Sequence, residues 1–124
     1  KFEFLVVNFA NADMVGHTGC LPAAISAVEV VDECLGVVTQ AAANQGGLVF
    51  ITSDHGNAEK MADPLTKHSH TAHTINKVPF VVVGNHKLSV SDGKLSDIAP
   101  TILSVMGLSV PEEMTGNILV QKHS

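Results

Sequence analysis

Apolar blocks alternate with polar segments rich in turn formers, and that alternation sets the elements of the chain. Phe2 to Asn8 is short, apolar and β-branched toward its end, which predicts a buried strand closing at Asn8. Asn8 to Gly19 reads as a loop with at most one helical turn. Pro22 then suits the first turn of a helix, where its missing N–H has no partner to lose. Ala24, Val28, Val31, Leu35, Val38 and Ala42 follow at spacings of four, three, four, three and four. Such spacing predicts an amphipathic helix ending near Gln45, with Gly46-Gly47 as its stop.

Leu48 to Thr52 reads as a second buried strand, so that strand, helix and strand would form a right-handed parallel crossover. Ala58 to Asn76 is polar, holds Pro64 and three His, and predicts a long loop that could close as a hairpin. Val78 to Val83 predicts a third strand closed by Gly84, followed by a loop and a helix from about Ser96 to Met106 with Gly107 just past its end. The tail from Val110 carries Pro111 and Gly116 and reads as irregular. The expected fold class is α/β, with a mostly parallel sheet flanked by helices.

Composition narrows the setting. The 124 residues suffice for one domain with a core, and 45% are hydrophobic against 15% charged. So apolar and weakly charged a chain is expected to be part of a larger unit that covers one of its faces. A net charge of -5 and the absence of Arg argue against a nucleic-acid partner, since phosphate contacts need clustered Lys and Arg. No apolar run is long enough for a membrane span, so no membrane partner is expected, and Lys1-Phe2-Glu3 does not open a signal peptide. Cys20 and Cys34 have neither CxxC spacing nor a disulfide framework, and read as buried reduced thiols in a cytoplasmic protein.

Chemistry-bearing residues fall in three places, each beside or after an apolar block. They are Asp13 with His17, Asp54 with His55, and the run His68 to Thr74. In open α/β sheets, ligands gather outside the carboxyl ends of the strands. Two carboxylates and several imidazoles meeting there would hold divalent ions, more than one of them, and suit Mn, Zn or Fe better than Ca or Mg. The bland alternatives stand beside this reading. Asp54, Gly56 and Asn57 are also ordinary turn residues. His68 and His70 read as a mobile polar loop, and His86 and His123 as surface residues.

The segments NADMVGHTG, ITSDHGNAEKM, HTAHT, VPFVVVG and LSDIAPTILSVMGLSVPEEMTG resemble, in order and spacing, the C-terminal part of the cofactor-independent phosphoglycerate mutases. That family belongs to the alkaline phosphatase superfamily. The resemblance covers essentially the whole chain. It implies a partial alkaline-phosphatase-like domain, with a first ion held by Asp13, His17 and His73 and a second by Asp54 and His55. It further implies Mn²⁺ as the usual metal, with Mg²⁺, Co²⁺ or Zn²⁺ in some members. The implied reaction is the interconversion of 3-phosphoglycerate and 2-phosphoglycerate, in glycolysis and gluconeogenesis, through a phosphoserine.

Neither Ser53 nor Ser69 lies in the family's nucleophile motif, and the substrate-gripping insert has no counterpart here. The chain is therefore expected to be residues 1–124 of a metal-binding portion, inactive alone and without catalytic or substrate-binding residues of its own. The resemblance implies a monomeric full enzyme, with self-association open to the fragment. The rival readings are a piece of another phosphomutase or phosphatase of that superfamily, and a non-catalytic metal-binding module.

Overall fold

A computed structural model describes residues 2–84 and 87–122. Helix α1 (Asn11–Gly16) occupies the place of the expected helical turn, and α2 (Leu21–Ala43) follows with Pro22 in its first turn. At the far end of α2, Gly46 takes φ +68°, and the Gly47 N–H donates back to the Ala42 carbonyl at 2.9 Å. A side chain at Gly46 would resist that left-handed turn, which is why the helix stops where the two glycines predict. The inner face of α2 carries Ala24, Ala27, Val31, Leu35 and Val38, of which only Ala24 is fully buried. Val28, expected on that face, is 48% exposed. A half-covered Val or Leu contributes only part of the ~1.5–3 kcal/mol of a fully buried one, so this stripe is weakly held within the chain.

Two compact units divide the molecule, one formed by Lys1–Ala41 with His55–Val78 and the other by Ala42–Asp54 with Pro79–Ser124. In the first, α1 and most of α2 meet a returning segment with almost no regular structure. That segment is stapled by isolated bridges, Gly56 to Thr74 and Ala62 to Ser69, so the expected loop does fold back on itself. The Asp63 carboxylate accepts the N–H groups of Leu65 and Thr66 at 2.9 and 2.7 Å, closing the turn that Pro64 opens. Met61 is buried and anchors the base of this hairpin.

The second unit holds β1 (Val49–Thr52), β2 (Phe80–Val83), β3 (Leu88–Val90), α3 (Ile98–Val105) and β4 (Val120–Lys122), with a 3-10 turn at Leu95–Asp97 leading into α3. β1 pairs with β2 from Val49 opposite Val83 to Thr52 opposite Phe80, with the Phe50 and Phe80 rings stacked 6.2 Å apart. β3 pairs with β4. Gly107, at φ +73°, ends α3 as expected.

Four expectations need correction. Both described sheets are antiparallel pairs, so the mixed helix-and-strand class holds but the mostly parallel sheet does not. Phe2 to Asn8 forms no strand among the described residues; its apolar side chains are exposed, from 84% for Phe2 to 52% for Phe4. A strand exists only with a partner, and with no ladder on Phe2 to Asn8 the expected parallel crossover is not formed among the described residues. The irregular tail instead ends in β4. Cys20 and Cys34 are free thiols, but Cys20 is exposed and Cys34 half-buried, because one lies in the turn before α2 and the other beside its thin inner stripe. His86 and His123 lie outside the described residues.

Candidate metal centre

A four-residue step along α1 places Asp13 and His17 on one face, and the short helix is what brings them together. The His17 ring is then held from behind, with Nδ1 2.6 Å from the Thr71 carbonyl. A carbonyl can only accept, so Nδ1 carries a proton, and Nε2 is the ring nitrogen that faces the site. The Asn57 amide lies 3.4 Å from that Nε2.

His73 arrives from the returning segment. Its neighbour Thr74 donates its N–H to the Gly56 carbonyl at 2.8 Å. The Thr74 hydroxyl donates to the Glu59 carboxylate, which also accepts the Asn76 amide at 2.9 Å. These donors, Thr74 first, hold the Glu59 carboxyl below the usual carboxylate range against the opposing effect of partial burial. Glu59 is thereby a clasp on the chain just beyond His73.

The three ligand-type side chains converge on one atom. Asp13 Oδ1 lies 3.3 Å from His17 Nε2 and 3.2 Å from His73 Nε2, and those two nitrogens are 3.2 Å apart. One ligand atom from each of Asp13, His17 and His73 falls within 4.8 Å of the others. His55 joins from the turn after β1, its Nε2 3.9 Å from the same oxygen and its ring stacked on His73 at 3.6 Å. The Asn57 hydrogen bond, ahead of the three imidazoles, keeps the Asp13 carboxyl below its ordinary range. Electron-rich atoms this close repel unless something electropositive lies among them, which a divalent cation would supply. Two imidazoles and a carboxylate are a donor set suited to divalent transition metals, so the residues fit such an ion.

Of the five residues singled out in sequence, Asp13, His17, His73 and His55 thus meet within the first unit. Asp54 is exposed and closes the first segment of the second unit. Sequence reasoning missed the supporting residues Asn57, Glu59 and Thr71. Asn57 reaches Asp13 across 44 positions, and nothing local in the chain announces that contact.

Residues 1–110 match the model of the metalloenzyme superfamily. The chain belongs to that superfamily. Among its relatives, the 2,3-bisphosphoglycerate-independent phosphoglycerate mutase of Clostridioides difficile is 57% identical over 125 residues, covering 98% of this chain and 24% of the relative. The enzyme of the same name from Colwellia psychrerythraea is 50% identical over 121 residues, with 98% and 23% covered. The crystal structure of Leishmania mexicana phosphoglycerate mutase at low cobalt concentration superposes with a TM-score of 0.77 at 29% identity, over 94% of this chain and 24% of that one. The chain spans about a quarter of the length of the curated relatives it matches. Among the described residues, no helix is long and apolar enough to cross a membrane.

Proposed function

We propose that the chain is the metal-holding C-terminal part of a cytoplasmic 2,3-bisphosphoglycerate-independent phosphoglycerate mutase, which interconverts 3-phosphoglycerate and 2-phosphoglycerate. The observation that carries this reading is the convergence of Asp13, His17 and His73 on one carboxylate oxygen, in a segment 57% identical to such a mutase. In this reading these three side chains hold a first divalent ion, and Asp54 and His55 contribute to a second. Mn²⁺ is the proposed metal; Co²⁺, Zn²⁺ and Mg²⁺ are the competitors for the site. Bound metal supplies charge neutralisation for the transferring phosphoryl group and a lowered pKa for the attacking hydroxyl.

The chain's own residues do the holding. Thr71 fixes which nitrogen of His17 faces the site, Glu59 and Gly56 hold the His73 segment, and Asn57 holds Asp13. The nucleophilic Ser and the groups that grip phosphoglycerate come from outside the 124 residues in this proposal. Exposed Phe2, Leu5 and Val6 support it, because apolar surface of that kind needs a cover. The test is the product made by the full-length protein carrying this segment, loaded with Mn²⁺ and given 3-phosphoglycerate. Formation of 2-phosphoglycerate without free phosphate is expected, and none from the 124-residue chain alone. Release of inorganic phosphate as the main product would replace the mutase reading with a phosphatase.

A further inference from the structure

We propose that Asn57 is a positioning residue of this centre, fixing the Asp13 carboxylate for metal binding, and that Gly16 is the relief in helix α1 that lets it do so. The inference rests on the reading of Asp13, His17 and His73 as metal ligands. Asn57 is buried, 5% exposed, and its Nδ2 lies 2.7 Å from Asp13 Oδ1 and 3.4 Å from the Asp13 carbonyl and from His17 Nε2. Among the described residues, the hydrogen bonds of its donor end thus all go to Asp13 and His17. The other end of the amide, Oδ1, is buried without a hydrogen-bond partner among the described residues. A residue that merely filled this space would not leave an acceptor stranded. Reversing the amide is no remedy, because its oxygen would then face the Asp13 carboxylate. The orientation is set by donation to Asp13, and the stranded oxygen is its consequence.

Gly16 supplies the second observation. It closes α1 in ordinary helical backbone, where alanine would make the better helix, so conformation does not explain the glycine. Space does. A Cβ at Gly16 would overlap Asn57 Oδ1 and lie 2.9 Å from Asn57 Cγ. The missing side chain therefore makes room for that amide, one turn from Asp13 on the same helix. Donation to one oxygen of a ligand carboxylate fixes its rotation and leaves its remaining lone pairs for the ion.

The experiment titrates Mn²⁺ calorimetrically into the full chain and its variants, with Co²⁺ visible absorption as a report on the coordination sphere. Asn57→Leu keeps the branched shape but removes the donor, and is expected to weaken Mn²⁺ binding by about 10–100-fold and to alter the Co²⁺ bands. Gly16→Ala leaves every donor in place and is expected to weaken binding too. In an Asn57→Ala background, Gly16→Ala should change affinity less than about twofold, because the methyl group then has space; such non-additivity marks a direct coupling. Wild-type affinity in Asn57→Leu would overturn the proposal, and so would an equal loss from Gly16→Ala in both backgrounds. Should Asn57→Leu lose its thermal unfolding transition, the Gly16→Ala pair decides alone. Wild-type binding indifferent to Asp13→Ala would instead overturn the metal centre, a result distinct from a failure of Asn57.

Discussion

Two carboxylates, Asp13 and Asp97, show how one residue type serves opposite ends. Asp97 is 1% exposed, and its oxygens are taken by backbone N–H groups, Oδ2 by Lys94 at 2.9 Å and Oδ1 by Asn117 at 2.8 Å. Thr101, fully buried, completes the knot: its hydroxyl donates to the Asp97 carbonyl at 2.6 Å and accepts the Leu119 N–H at 2.9 Å. This arrangement ties α3 to the chain leading into β4 and keeps the carboxylate buried. Asp13 has a side chain 38% exposed, with one oxygen ringed by imidazole nitrogens. Both carboxyls sit below their ordinary range, Asp97 through backbone donors and Asp13 chiefly through Asn57. A lowered pKa alone therefore does not distinguish a structural carboxylate from a chemical one. The identity of the donors does: backbone amides use a carboxylate up, whereas neighbouring imidazoles add lone pairs to it.

The contrast can be broken at either end. His17→Ala removes a ligand-type nitrogen, and is expected to lower Mn²⁺ affinity by more than the roughly 10–100-fold typical of a supporting residue, with the thermal midpoint little changed. Thr101→Val strands the Leu119 N–H in a buried place and should cost about 1–3 kcal/mol of stability in urea unfolding, with Mn²⁺ affinity unaltered. Glu59→Ala loosens the clasp beside His73 without touching a ligand atom. It should weaken Mn²⁺ binding by at most about tenfold, the lower end for supporting groups. A larger loss there would make Glu59 part of the centre itself.

The smallest expected effect is on pH dependence. Because the folded Asp97 carboxyl is depressed below its ordinary 3.8, its stabilising contribution is fully present above that value. It is lost as pH falls through the depressed value. Thermal midpoints measured from pH 5 down to 2 should therefore fall less steeply in Asp97→Asn than in the wild type. An unchanged acid limb would remove Asp97 from the account of stability.

What the sequence made legible was local. The α2 stripe and the Gly46-Gly47 stop depend on neighbours three, four or a few positions away, and the chain carries that information openly. The Asp13 and His17 pair was readable for the same reason. Pairing was not readable. Phe2 to Asn8 has the composition of a strand but no ladder among the described residues, and a run of apolar residues carries no signal of parallel or antiparallel partners. Three-residue strands such as β3 and β4 are too short for alternation to show. Asn57 and Thr71 escaped notice because their partners, Asp13 and His17, are 44 and 54 positions distant. The His-rich run was legible as chemistry but not as geometry: of its members, His73 turns to Asp13, while the His70 N–H is used in the hairpin against Met61.

The most direct test of the account is calorimetric titration of Mn²⁺ into the chain and into its Asp13→Ala and His73→Ala variants. Saturable binding in the parent, reduced by about 100-fold or more in both variants while their thermal midpoints stay put, is the predicted result. Equal affinity in all three proteins would contradict it, and Asp13 would then be, like Asp97, only a part of the scaffold.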